Sequence, residues 1–343
     1  MTPLRFGVCA HRHSDAPLMR ESGIQWVRDI FPFPFRDKIA GELTDGYLKA
    51  RESAKKWAMG GMKVMGVSPC PFHGRRTPGP DGRLALVSSS NFPEWAGTPG
   101  SPGYNRNYHD TCAWLAGDLK GTVGMWQVAN ELDIELFSGP LNPAQACELV
   151  TAGARGFKSS DSSLVVGHNP SGDPRGYYFF GRLFNRPDRV MDYCGIDGYY
   201  ASWAPGAPTD WAPRIRELHA LTGAPILVNE WGFSSTGGVM SEQDRLAGLM
   251  PCDRKSWWFT WGEGHTPASQ AKYIQTAMDS FMTVREMLLG MFFYRWEDQE
   301  KCWQCGAADC PAEIAWGLTD LEGNPKPSLK AYRDGIGRLS EAG

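Results

Sequence analysis

Residues Gly124-Met125-Trp126-Gln127-Val128-Ala129-Asn130-Glu131 form an apolar run that stops abruptly at an Asn-Glu pair. Far downstream, Pro225-Ile226-Leu227-Val228-Asn229-Glu230 repeats the pattern and ends in a second Glu. Short continuous apolar runs of this kind read as strands buried on both faces, as in a parallel sheet. Each would deliver one carboxylate at its C-terminal end.

Six more such runs flank these two, separated by amphipathic stretches, and the alternation argues for βα units. They are Arg5–Cys9, Ile24–Arg28, Lys63–Val67, Leu164–Gly167, Tyr193–Asp197 and Met291–Trp296, with Val123–Val128 and 225–230 as strands four and seven. Helices are expected over about 44–59, 107–119, 143–158, 211–221, 267–289 and up to about 339, with Asn142-Pro143 and Thr266-Pro267 as starts and Gly223 as a stop. Residues 68–105 and 232–265 are too long for plain connections, and such loops are usually functional. Eight strands with their helices predict one domain over residues 1–343, a single (β/α)8 TIM barrel with long loops after strands 3, 7 and 8. An open doubly wound sheet would want a Gly-rich phosphate turn after strand one, where the chain has His11-Arg12-His13-Ser14 instead.

Composition narrows the partners. With 42% hydrophobic and 21% charged residues the chain can bury a large core, and a net charge of −3 without any basic tract argues against nucleic acid. No apolar run reaches the roughly 18 residues of a membrane span, so no membrane partner is expected. Met1-Thr2-Pro3-Leu4-Arg5-Phe6 shows no signal peptide; export is favoured if one has been removed, and the cytoplasm otherwise. The 14 Trp suit a carbohydrate partner, because indole faces stack on the C–H faces of sugar rings.

In a barrel the site lies at the C-terminal ends of the strands. The polar residues there are Arg28, Asn130, Glu131, His168, Asp197, Tyr199, Glu230 and Trp296, joined by loop residues His11, His13 and His73. Strands four and seven face one another across an eight-stranded barrel, so Glu131 and Glu230 oppose. Two facing carboxylates are what glycoside hydrolysis needs: one protonated to serve the leaving oxygen, one ionised to act at the anomeric carbon. No cofactor and no active-site metal is called for.

The ordered set of motifs resembles the clan of (β/α)8 retaining glycoside hydrolases that contains families 5 and 39. Trp126-Gln127-Val128-Ala129-Asn130-Glu131 is similar to the clan's strand-four motif, and Ile226-Leu227-Val228-Asn229-Glu230-Trp231-Gly232 to its strand-seven motif. Trp26-Val27-Arg28, Ser269-Gln270-Ala271-Lys272-Tyr273, Trp296 and the lead-in Gly317-Leu318-Thr319-Asp320 to Asn324-Pro325-Lys326-Pro327 also match in order. The resemblance implies that Glu131 is the acid/base and Glu230 the nucleophile. It implies that Asn130 grips the sugar 2-hydroxyl, Arg28 pairs with Glu230, and Tyr199 or its neighbour Tyr200 orients Glu230. Trp296 would be the floor under the reacting sugar. His73 and His168 are candidates for binding hydroxyls, and Trp95, Trp203, Trp231 and Trp261 for sugar platforms. One departure stands out, since the clan's strand six often carries a His where this chain has Asp197.

Two competing functions use the same residues. A non-catalytic carbohydrate-binding barrel would keep the aromatics but lose a carboxylate, and a metal-dependent hydrolase would ligate zinc through His11 and His13. Nine Cys do not settle the compartment. Cys9, Cys112, Cys147 and Cys194 sit in apolar patterns and read as buried thiols. Cys302-x-x-Cys305 with Cys310 would bind zinc if Cys252 or a His supplied a fourth ligand. A disulfide or free thiols is the favoured reading, because a paired CxxC…CxxC spacing is absent.

Overall fold

The structure, a computed structural model, describes residues 3–172 and 174–342. Eight parallel strands close into a barrel: β1 (Arg5–Cys9), β2 (Trp26–Ile30), β3 (Lys63–Val67), β4 (Val123–Gln127), β5 (Val165–His168), β6 (Tyr193–Gly198), β7 (Ile226–Trp231) and β8 (Leu288–Phe293). Each strand pairs with its sequence neighbours, and β8 pairs back to β1 through Arg5–Gly290 to Val8–Phe293. Eight helices follow the strands: α1 (Ala16–Glu21), α2 (Asp45–Met59), α3 (Pro102–Asp118), α4 (Pro143–Ser160), α5 (Pro174–Phe184), α6 (Trp211–Thr222), α7 (Pro267–Met282) and α8 (Pro327–Glu341). The protein is a (β/α)8 barrel.

Local chemistry places the helix starts. Thr44, Ser101, Asn142 and Thr266 each accept a backbone N–H from the first helical turn, and Asn142 and Gln145 form a reciprocal capping box. Proline stands at the start of α3, α4, α7 and α8, where its missing N–H costs nothing. Gly223, in the left-handed region at φ 59°, ends α6.

Inside the barrel, side chains from alternate positions form layers. Trp26, Met65, Met125, Tyr193, Leu227 and Phe292 make an apolar plug. Such large side chains fit because glycines face them. A Cβ on Gly7 would sit 2.3 Å from the Phe292 ring, and one on Gly167 would sit 2.4 Å from that of Tyr193. Two residues further along β2, β4 and β7 come Arg28, Gln127 and Asn229, so the next layer up is polar.

Several elements differ from the sequence expectation. Helix α3 begins at Pro102, five residues before the expected 107, because Ser101-Pro102 is a cap and first turn hidden in a Pro/Gly-rich stretch. Strand eight runs Leu288–Phe293 and α7 ends at Met282, since the apolar run through 288–294 carries no period that separates helix end from strand start. Within 68–105, Phe72–Pro78 pairs antiparallel with Leu84–Ser90 around Asp81-Gly82, a hairpin that its Arg, Thr and Ser content disguised as loop.

Candidate active site

Two backbone irregularities aim the carboxylates. At the end of β7 the register slips against both neighbours. Asn229 and Glu230 consequently both turn inward, while Trp231 turns out onto Phe281, Phe293 and Tyr332. Bulges of this kind re-aim side chains beside active sites. Beyond β4, Ala129 and Glu131 adopt φ of 51° and 39°, a left-handed conformation that non-glycine residues rarely hold.

The polar layer is a hydrogen-bonded network. Arg28 Nε and Asn229 Nδ2 donate to Gln127 Oε1 at 2.9 and 2.8 Å. Gln127 Nε2 donates in turn to the Ala129 carbonyl at 2.7 Å and to Asn130 Oδ1 at 3.2 Å. Asn130 Oδ1 also accepts from Arg28 Nη2 at 2.5 Å and Asn169 Nδ2 at 2.8 Å. With its oxygen so occupied, Asn130 presents its amide N–H group toward Glu131 Oε2 at 3.5 Å. Arg28 Nη1 pairs with Glu230 Oε1 at 2.7 Å, and the Tyr199 hydroxyl donates to Glu230 Oε2. Tyr200 instead packs edge-on against Trp211.

One guanidinium therefore serves three buried carboxyls, Glu131, Asp197 and Glu230. Burial pushes Glu131 well above the usual carboxylate range, and the negative charges of Glu230 and Asp133 add to it, opposed by Arg28 and a hydrogen bond with Asp197. Burial likewise raises Asp197, with Glu230 and Glu131 adding to it. Arg28 remains firmly charged: burial works against its cation, but Glu230 and its other anionic neighbours outweigh that. The site thus sets a carboxyl whose pKa is raised beside Glu230, which has Arg28 as its partner.

This arrangement has a cost in stability. Glu131 holds its proton more tightly folded than unfolded, so above the ordinary glutamate pKa the unfolded chain releases that proton first. Stability then falls as pH rises from there toward the folded value. Glu131→Gln is expected to raise Tm by a few degrees near neutral pH and to leave it unchanged in mild acid. Scanning calorimetry at the two pH values checks this, and an equal gain at both would contradict the electrostatic cause.

Above the network lies a cavity of about 1480 Å³, lined by Glu131, Glu230, Arg28, Asn130, Asp197 and Tyr199 at its base. Its volume exceeds the roughly 300–1,000 Å³ of sites for drug-sized ligands. Aromatic residues rim it: Phe137, Trp203, Trp258, Trp303 and Trp316. His73 lines it too, with its ring 5.2 Å from Trp303.

Other expected site residues lie elsewhere. Trp296 is fully buried and donates to Asp15 at 2.8 Å, so it is no sugar floor; Tyr294 and Arg295 line the cavity from that segment. Trp231 is a core residue between α7 and α8. Trp261 packs edge-on to Tyr273 outside the cavity, and Trp95 hydrogen-bonds the Phe35 carbonyl. His168 is buried against Phe179 with its Nδ1 on the Val128 carbonyl, and does not reach the cavity. His11 faces the cavity, but His13 turns to Ser53 and Trp57, so the two do not form a ligand pair.

The sequence reading missed Gln127, Asn169 and Asn229, which orient the network, and the β8-loop residues Trp303, Gln304, Glu313 and Trp316. Gln127 and Asn229 lie two residues beyond plug residues Met125 and Leu227, a period-2 signal that was there to be read. The aromatics of 302–316 were visible, but nothing local says that this loop folds back over the barrel mouth.

No family model matches the sequence, and no curated protein matches it. Among solved structures, 98% of the chain superposes on an exo-beta-1,4-mannosidase from Opitutaceae bacterium strain TAV5, at 14% identity and a TM-score of 0.63. This chain spans 60% of that protein, less than two thirds of its length. A GH5_18 protein from Streptomyces cattleya in complex with Manb1-4GlcNAc superposes over 98% of this chain and 80% of its own, at 13% identity and a TM-score of 0.67. A GH53 catalytic domain from Ignisphaera aggregans covers 96% of this chain and 90% of its own, at 18% identity and a TM-score of 0.59. The chain shares their barrel fold. At these identities the likeness is one of architecture, and the chemistry rests on the site.

Proposed function

We propose that the protein is a retaining glycoside hydrolase that cleaves β-O-linked oligo- or polysaccharides. The observation that carries the proposal is the unequal pair at the cavity base. Burial and neighbouring charge raise the pKa of Glu131 well above the usual carboxylate range, while Arg28 pairs with Glu230 and the Tyr199 hydroxyl donates to it. The cavity's size and aromatic rim suit several sugar units. The mannosidase activity and the bound Manb1-4GlcNAc of the structural neighbours support a β-linked substrate.

In this reading Glu230 attacks the anomeric carbon while Glu131 gives its proton to the departing glycosidic oxygen. The bond to that oxygen breaks and a glycosyl ester forms on Glu230. Water then enters, loses a proton to Glu131 and attacks the same carbon, which releases the sugar and restores both carboxyls. Asn130 donates to the 2-hydroxyl, a contact that strengthens as charge develops on the ring. Tyr199 and Arg28 hold Glu230 in line. No step calls for a cofactor.

The test is the anomeric configuration of the first-formed product, followed by proton NMR during digestion of a panel of β-linked oligosaccharides. Retention supports double displacement. Inversion would overturn it, and binding without turnover across the panel would favour a carbohydrate-binding barrel.

A further inference from the structure

One side of the cavity is built by two insertions that share no strand of the barrel. One follows β7 and includes the short helix Pro251–Arg254; the other follows β8 and runs to Pro311–Ile314. They meet at a small buried cluster of Cys252, Trp257, Cys302, Cys310, Ala312 and Trp316, with Cys305 packed against it. The sulfur atoms of Cys252, Cys302, Cys305 and Cys310 all lie within 4.8 Å of one another. Cys252 Sγ is 3.9 Å from Cys302 Sγ and 3.6 Å from Cys310 Sγ.

These distances discriminate. A disulfide joins two sulfurs at about 2.05 Å, and here all nine cysteines are free, contrary to the disulfide that the sequence favoured beside free thiols. Four sulfurs about a tetrahedral ion at about 2.3 Å sit about 3.8 Å apart, the value these two pairs bracket. We infer that Cys252, Cys302, Cys305 and Cys310 form a structural tetrathiolate zinc site that ties the two insertions together.

The surroundings support a thiolate site. Cys302-x-x-Cys305 closes a tight turn in which the Gly306 N–H donates to the Cys302 carbonyl at 2.7 Å, and Gly306 takes the left-handed φ of 78° that the turn needs. That turn brings both thiols to one side. The backbone N–H groups of Cys305 and Ala312 reach the sulfurs of Cys302 and Cys310, contacts that orient metal-bound thiolates. Lys255 Nζ lies 3.8 Å from Cys305 Sγ, a cation placed to offset the excess negative charge of four thiolates around one divalent ion. Cysteine-only coordination by four protein ligands marks a closed, structural site rather than a catalytic one.

The site bears on the cavity through its own loop. Trp303 and Gln304 lie between the ligands Cys302 and Cys305, and Glu313 and Trp316 follow Cys310; all four line the cavity. Gln304 Nε2 donates to Glu313 at 2.7 Å, which joins the metal turn to the helix beyond it. Cys252 is 50 residues from Cys302, so the ion would close a long loop and remove much of that loop's freedom.

Metal analysis of the whole chain, purified without a polyhistidine tag from zinc-supplemented culture, tests the inference. The expected result is one zinc per chain that survives dialysis. After chelator stripping, cobalt(II) should restore one ion per chain and give the charge-transfer bands of a tetrahedral thiolate set. Cys305→Ser should bind zinc at least about tenfold more weakly. If that variant does not fold, the cobalt spectrum of the unmodified chain decides. Zinc-free protein whose thiols take up no cobalt, a mapped disulfide among the four, or iron in place of zinc would each overturn the assignment. None of these readouts depends on glycosidase activity.

Discussion

Replacement of Glu230 by alanine is expected to lower kcat on β-glycosides by a factor on the order of a hundred thousand, whatever the leaving group. The nucleophile takes part in both chemical steps, so an easier first step does not rescue the variant. Asp197 does not substitute for it, because burial and the neighbouring carboxyls favour its protonated form. Azide added to Glu230→Ala should enter the vacated space and give the α-glycosyl azide, the opposite anomer to the normal product. Arg28 loses its partner in this variant, so Glu230→Gln is the companion that keeps the volume and the hydrogen bond from Tyr199. Near-native turnover in both variants would remove Glu230 from the mechanism.

Glu131→Ala gives a different signature. The rate should fall about 10²–10⁴-fold on substrates with poor leaving groups, the usual contribution of a placed proton donor. On aryl glycosides with very acidic leaving groups the first step needs no proton, and the glycosyl ester should accumulate. Azide should then restore turnover and yield the β-glycosyl azide. The pH dependence carries the second signature. The acid must be protonated to act, and burial together with the charge of Glu230 raises its pKa. Activity of the unaltered enzyme should therefore persist above the ordinary glutamate range and fall as pH rises through the elevated value. That basic limb should vanish in Glu131→Ala. A profile whose basic limb is unchanged by the substitution would assign the proton to another group. If the two azide products come out with their anomers exchanged, the roles of Glu131 and Glu230 are reversed.

Most of the barrel was legible because its signals are local. Buried parallel strands need continuous apolar runs, and eight of them stand in the sequence. Helix starts such as Asn142-Pro143 and Thr266-Pro267 carry their caps within four residues. The boundaries that slipped lie where local signals conflict. Ser101-Pro102 hid its cap in a turn-like composition, and the apolar run around Leu288 continued across the junction of α7 and β8.

The site divides along the same line. That Asn130, Glu131 and Glu230 stand at the ends of apolar runs follows from the local pattern, although the slip in β7 and the left-handed turn beyond β4 set their aim. Which way each tryptophan faces does not. Trp231 sits one residue past Glu230 and would be a platform if the strand were regular, but the slip in β7 sends it outward into the core. Trp296 leaves the strand altogether and is held by Asp15. The role of Tyr199 over Tyr200 rests on which ring meets Glu230 after the chain turns at Ala201, where φ is 61°.

The sequence alone determined the barrel and the place of Asn130, Glu131 and Glu230 at the ends of apolar runs, because each depends on periodicity or on spacing within one strand and its loop. The tertiary structure alone decided the rest: the Gln127-Arg28-Asn130 network, the aromatic rim and the gathering of Cys252 with three thiols 50 and more residues away. Such contacts depend on where separate insertions come to rest on the barrel. No local pattern encodes that, since chain closure over long loops costs little extra per residue and leaves many partners within reach.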